Sequence, residues 1–210
     1  MEFRIKEFLR NRHGGMYLYA TNPGGERIQY NDIFHANELM RHMHDWMVDN
    51  GWAPRDDKKF PEQFYHHQFK QGGVEEVRWY WRFNRAPDAD KGAGFYHYFF
   101  NVSIRIIGMK RTEIMRRDMK LGTMKGDIEV ESDAYISLDH SKKWRNHWLL
   151  KNFLDTYLFR LSYNEVLAHR AFVRRETNRF MDSVKTFFKL PRFRPPTEEQ
   201  ASYDTNRDFE

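Results

Sequence analysis

The chain of 210 residues contains no cysteine, which excludes a disulfide framework, a thiolate metal centre and a cysteine nucleophile. Such a composition suits a reducing compartment, and the cytoplasm is the expected location. Long apolar runs are also missing: none approaches the roughly eighteen residues that a membrane-spanning helix needs. Charges interrupt the amino end, MEFRIKEFLRNRHGG, where a signal peptide would carry an unbroken apolar stretch. Neither a transmembrane segment nor an export signal is expected. Charge of one sign is in short supply as well. Lys and Arg number 35 against 30 Asp and Glu, so a net charge of +5 permits an anionic partner without demanding one.

Aromatic residues are plentiful, at 17% of the chain, and supply bulk for one sizeable core. A single domain over residues 1–190 is expected. Residues 191–210, PRFRPPTEEQASYDTNRDFE, offer prolines and polar groups with nothing to pack, and read as a disordered tail.

Short runs at Met16 to Tyr19 and Arg27 to Tyr30 flank TNPGGE and read as a hairpin. A helix follows, with Asn31 or Asp32 as cap, Ala36, Leu39, Met40, Met43 and Met47 on its buried stripe, and Asn50-Gly51 as its stop. APRDDKKFP is a surface connection without regular structure. From Phe64 the pattern alternates for roughly seventy residues, which predicts an antiparallel meander with a long polar loop over residues 84–94. Tyr96, Tyr98, Phe100, Val102, Ile104 and Ile106 share one face of a strand that Gly108 ends or bends. The opposite face holds His97, Asn101, Ser103 and Arg105.

The carboxyl part is helical. Ser141 caps a helix carrying Trp144, Trp148, Leu150, Phe153, Leu154, Tyr157, Leu158 and Leu161. A second helix, from about Asn164 to Lys189, carries Val166, Val173, Phe180, Val184 and Phe187. The fold class is therefore α+β: an antiparallel β-meander sheet of about five to seven strands with one face covered by helices, two of them C-terminal.

RWYWRFNR, residues 78–85, reads either as a stacking platform for nucleobases or as a half-buried strand. Alternation groups Trp79 and Trp81 with Val77 and Phe83, so the indoles belong to the core and Arg78, Tyr80 and Arg82 face outward. KRTEIMRRDMK and GDIEVESDAYISLD put Lys110, Arg111, Arg116, Arg117 and Lys120 on one strand. Asp127, Glu129, Glu131 and Asp133 lie on the next, and a Gly-containing turn joins the two. Their opposite charges neutralise each other across the pair.

DWMVDNGW, WYWRFNRAPD, the meander ending GDIEVESDAYISLD and the segment KKWRNHWLLKNFL together resemble an uncharacterised family of small archaeal proteins over Tyr30 to Leu190. The resemblance implies an intracellular setting and carries over no activity and no functional residue.

Tests for chemistry find little. His35, His42 and His44 cannot share an ion within one helix, and Glu165 with His169, four residues apart, supply two groups where a metal needs more. Asp139, His140 and Ser141 are consecutive, so they cannot align as a triad, and Asp139 and Ser141 read as caps. GMKRTE and NPGGER lack the glycine spacing of a phosphate loop. No catalytic, metal or cofactor residue is assigned.

The expected function is that of a non-catalytic intracellular binding or assembly protein with a protein partner. The alternatives are an RNA- or ribosome-associated protein and a small enzyme with an unrecognised site. Partner contact is assigned to Arg78, Tyr80, Arg82 and Arg105 on the sheet face. It is also assigned to Lys185, Phe188, Lys189, Arg192, Phe193 and Arg194 in KTFFKLPRFRPP, where exposed phenylalanines among cations would suit RNA, an anionic surface or an acidic groove.

Overall fold

Alternation of apolar and polar residues over 74–138 builds three long strands that form the centre of the molecule. They are β5 (Val74–Arg85), β6 (Tyr96–Arg116) and β7 (Met119–Leu138). In this computed structural model, residues 9–12, 15–21, 25–87, 94–116 and 119–190 are described. Four further strands complete a seven-stranded antiparallel sheet: β1 (Leu9–Arg12), β2 (Gly15–Tyr19), β3 (Glu26–Phe34) and β4 (Glu62–Lys70). The order is β1-β2-β7-β6-β5-β4, and β3 also pairs with β7. The helices are α1 (Ala36–Asp49), the single turn α2 (Lys143–Asn146), α3 (Leu150–Thr156) continued by a π-helical turn to Leu161, and α4 (Tyr163–Phe187).

The α+β class and the meander β4-β5-β6-β7 match the expectation. The amino-terminal hairpin does not. Met16 to Tyr19 and Glu26 to Phe34 lie end to end along one edge of β7, opposite Leu138 to Tyr135 and Ser132 to Met124 respectively. Both segments are antiparallel to β7, so they continue one another instead of folding back. The chain re-enters the ladder just after Gly25, at φ 75°, where a Cβ would collide with the Ser132 carbonyl oxygen. A side chain there is excluded by contact and by backbone geometry alike.

Because β3 runs to Phe34, Asn31 and Asp32 are strand residues and do not cap α1. His35 takes that position without a side-chain bond. The stop is as read. Asn50 Nδ2 donates to the Trp46 carbonyl at 2.8 Å, and Gly51 at φ 71° lets the Trp52 N–H reach the Met47 carbonyl at 2.9 Å. Within the following connection, Trp52 and Ala53 are buried and Asp57–Lys59 form a short 3-10 turn.

Gly108 bends β6 without ending it. Two residues, Gly108 and Met109, stand between pairs that Gly126 alone separates on β7, which is a bulge with Gly108 at φ 68°. The β6–β7 ladder consequently extends to Arg116 opposite Met119, and the expected turn around Gly122 is strand.

The core lies between one sheet face and the helices. Val77, Trp79, Trp81 and Phe83 are all buried, as are Tyr98, Phe100, Val102, Ile104 and Ile106. Phe180 of α4 meets Phe100 edge-on at 5.5 Å, Trp46 of α1 meets Phe180 at 5.2 Å, and Phe60 meets Trp81 at 5.1 Å. The tryptophans of RWYWRFNR thus hold the layers together, each buried side chain contributing about 1.5–3 kcal/mol.

The helix expected from Ser141 to Leu161 is interrupted. Asp139, wholly buried, accepts from the Trp144 and Arg145 backbone N–H groups at 3.2 and 3.0 Å and pairs with Arg145 Nε at 3.2 Å, so it caps the first turn. The chain then breaks, and His147 Nδ1 accepts from the N–H groups of Leu149 and Leu150. Leu154 and Leu158 are buried as expected, but Trp148, Phe153 and Leu161 are exposed.

Candidate functional site

The sheet face opposite the helices is built by the other parity of the same strands. At one end of it, Phe99 on β6 stands opposite Tyr135 on β7, which stands opposite Tyr19 on β2, while His97 and Tyr17 flank Ser137 in the next row. Phe99 and Tyr135 stack at 5.0 Å, Tyr17 meets Tyr135 edge-on at 5.3 Å, and His97 stacks on His140 at 4.3 Å. Tyr17, His97, Phe99 and Tyr135 are half-buried. Burial pushes the Tyr135 phenol up from its ordinary pKa, and burial together with the neighbouring His140 pushes His97 down. Both shifts favour the neutral form, the phenol of Tyr135 and the imidazole of His97.

A polar row follows. Arg82 Nε donates to Asn101 Oδ1 at 3.3 Å, and Asn101 Nδ2 donates to Asp133 Oδ2 at 3.3 Å. Arg82 also donates to the Tyr80 hydroxyl at 3.1 Å, its guanidinium 5.6 Å from that ring's centroid. Beyond it lies a charged row. Arg27 reaches Glu129 at 3.0 Å and Glu131 at 3.6 Å, and Arg105 reaches Glu129 at 3.7 Å.

The acidic strand does neutralise arginines, but not the ones expected. The bulge and the long β6–β7 ladder place Lys110 opposite Lys125 and Arg111 opposite Met124, while Arg105 stands opposite Glu129 and Arg27 opposite Glu131. Arg111 instead pairs with Glu75 at 3.3 Å. Arg116 stands opposite Met119 at the end of the ladder, and Arg117 lies outside the described residues. The face is therefore a mosaic of balanced charge with aromatic rings at one end, not a basic surface.

Of the residues assigned to partner contact, Arg78, Tyr80, Arg82 and Arg105 do share this face. Arg78, Arg82 and Arg105 are exposed and Tyr80 is half-buried. Arg78 stands opposite Arg105. The second group comes apart. Phe188 is buried, at 7% exposure, and stacks on Tyr30 at 4.4 Å, which corrects its assignment as an exposed contact. The reason is that α4 ends over β3, so its last turn closes the core instead of passing beyond it. Lys185 reaches Asp182 at 3.4 Å, and Lys189 is exposed at φ 57°. Arg192, Phe193 and Arg194 lie outside the described residues.

Sequence reasoning missed Tyr17, Tyr19, Phe99 and Tyr135 as a group. The available signal was parity: Phe99 alternates with the core residues Tyr98 and Phe100, and Tyr135 shares the parity of Glu131 and Asp133.

Other sites are less developed. Near the start of α1 a cleft of about 700 Å³ is bordered by His35, Glu38, Arg111, Thr123 and Met124. Thr123 Oγ1 donates to the Thr112 carbonyl, and Arg111 is engaged by Glu75. Glu165 and His169 lie 3.7 Å apart, and His169 is hydrogen-bonded through Nδ1 to the buried Tyr98 hydroxyl, so this trio joins α4 to the sheet. No cluster of three metal-ligating side chains occurs among the described residues, nor does a helix long and apolar enough to cross a membrane.

No known protein family matches this chain, and no curated protein is similar to it.

Proposed function

We propose that this protein is a non-catalytic binding or assembly protein that docks a partner protein on its helix-free sheet face. The carrying observation is the half-buried group of Tyr17, Phe99 and Tyr135 beside the Arg82–Asn101–Asp133 row. Aromatic rings and arginine surrounded by satisfied polar groups have the composition of a protein-binding hot spot and its rim. A cytoplasmic setting, which the cysteine-free composition and the resemblance to archaeal proteins both imply, is part of this reading.

RNA is the second reading, and the adjacent exposed arginines Arg78 and Arg105 favour it. Against it stand Glu129, Glu131 and Asp133, which answer Arg27, Arg105 and the Arg82 row. A polyanion gains its affinity by replacing counterions with protein cations, and a charge-balanced face releases few.

The test replaces Tyr17 and Phe99 together with serine, and compares binding to the partner isolated with the wild-type chain. An affinity loss of about tenfold or more, with thermal stability within a few degrees of wild type, supports the reading. Unchanged affinity for the partner, or steeply salt-dependent retention on single-stranded RNA that both chains share, contradicts it.

A further inference from the structure

The α2–α3 segment is anchored on one side only. Trp144 and Tyr157 pack at 4.4 Å and both rings meet Phe95 at 5.6 Å, while Leu154 and Leu158 are buried. The segment's exposed residues include four large apolar side chains among the polar ones. Trp148 is 75% exposed, Leu161 78%, Phe153 54% and Leu149 43%. The helix is interrupted at His147, just before Trp148 and Leu149, and Leu161 ends the π-helical turn.

The charges along this segment are mostly positive. Lys142, Lys143, Lys151 and Arg160 are exposed, and Asp155 is the one acidic residue between His140 and Asn164. This contrasts with the sheet face, where carboxylates answer the arginines. It contrasts also with the end of α4, where Phe188, between Lys185 and Lys189, is buried. Large exposed apolar side chains concentrated in one short segment point to a contact surface. Tryptophan, leucine and phenylalanine tips ringed by cations match a layer with anions at its surface and hydrocarbon directly beneath. A protein partner would call for a shape-matched cavity around each tip and mixed charge at the rim. We propose that the 142–161 segment is a docking surface for an anionic lipid bilayer, entered by Trp148, Leu149, Phe153 and Leu161 and steered by the surrounding lysines.

The experiment uses the full chain with vesicles of phosphatidylcholine, with and without phosphatidylglycerol. Cosedimentation with the phosphatidylglycerol vesicles and not with phosphatidylcholine alone is expected, weakening as salt rises. Trp148 is the most exposed of the six tryptophans: Trp52, Trp79 and Trp81 are buried, and Trp46 and Trp144 are half-buried. Tryptophan emission shifts to the blue on vesicle addition in the wild type, and most of that shift is lost in Trp148→Phe. The pair Trp148→Ser and Leu161→Ser lowers vesicle affinity about tenfold or more, and because both side chains are mostly exposed the melting temperature is unchanged. Lys143→Glu with Lys151→Glu lowers it without altering the emission of the free chain.

Equal behaviour of the two vesicle types overturns the proposal, as does undiminished binding by the serine pair. Self-association abolished by the serine pair, in a chain that ignores vesicles, overturns it in favour of a second copy on this surface. The Tyr17→Ser, Phe99→Ser chain binds vesicles as the wild type does, which keeps this outcome separate from the sheet-face test.

Discussion

Phe99 and Tyr135 lie face to face on adjacent strands, 5.0 Å between centroids and 13° from parallel, on the side of the sheet that no helix of the described residues covers. Directly behind them, Phe100 meets Phe180 of α4 edge-on. One strand pair therefore serves two surfaces at once. Neighbouring positions on β6 are divided between a core that holds the molecule together and a face available to something else.

The core side is the easier to measure. Trp81, 1% exposed, is in contact with Phe60 and Phe83, and truncating it leaves a cavity between the sheet and the connection after α1. Trp81→Ala is expected to cost about 3–5 kcal/mol in urea or guanidinium unfolding, with little change in the transition's slope. A loss below 1 kcal/mol would mean that the indole is not a core residue.

Asp139 provides a second structural test. Its carboxylate is wholly buried and answers two backbone N–H groups and the Arg145 guanidinium. Asp139→Ala leaves those donors without their acceptor, and a destabilisation of about 3–5 kcal/mol is expected. Asp139→Asn retains an acceptor and should cost less. Equal effects of the two substitutions would show that charge, not hydrogen bonding, holds the turn.

On the charged face, Glu129→Gln with Glu131→Gln removes the partners of Arg27 and Arg105. Retention on heparin at low salt should rise, and the gain should disappear when Arg27 and Arg105 are also replaced by glutamine. Persistence of the gain in the fourfold variant would assign the freed charge to other residues.

Stability should depend on pH at both ends of the range. Burial pushes His97 and His169 below the ordinary 6.5, so the fold prefers both neutral. As pH falls below 6.5 the unfolded chain takes up protons that the fold resists, and stability drops until the folded histidines titrate in turn. Burial raises Tyr96 to about 12 from 10.0, so a further loss sets in above pH 10 as the unfolded phenol ionises first. Unfolding measured across these ranges checks both signs. His169→Gln should flatten the acid limb while leaving the alkaline limb in place.

Much of this was legible before the structure, and the reasons differ by element. The β4–β7 meander and the burial of Trp79 and Trp81 follow from period-two alternation, which holds from Val77 to Phe83. The α1 stop was legible because Asn50-Gly51 is local chemistry. What failed was non-local. Turn residues at TNPGGE suggest a hairpin, yet the third strand that pairs with both flanking segments lies far along the chain, at Met119–Leu138. Charge neutralisation across β6 and β7 was foreseen in kind and mistaken in partner, because the bulge at Gly108 and the length of the ladder set which charges meet. Phe188 resembled an exposed contact because its stacking partner, Tyr30, lies on a distant strand. The aromatic end of the open face was missed for the same reason: Tyr17, Phe99 and Tyr135 come together only when β2, β6 and β7 are aligned.

The central claim is that the aromatic end of the helix-free face is where a partner docks. The most direct measurement is hydroxyl-radical footprinting of the full chain, alone and bound to the partner isolated with it, reading oxidation at individual tyrosine and phenylalanine side chains. Protection confined to Tyr17, Phe99, Tyr135 and Tyr80, with the edge residues Tyr65 and Phe69 unchanged, is the predicted result. Undiminished oxidation at Tyr17, Phe99 and Tyr135 in the complex would contradict the account.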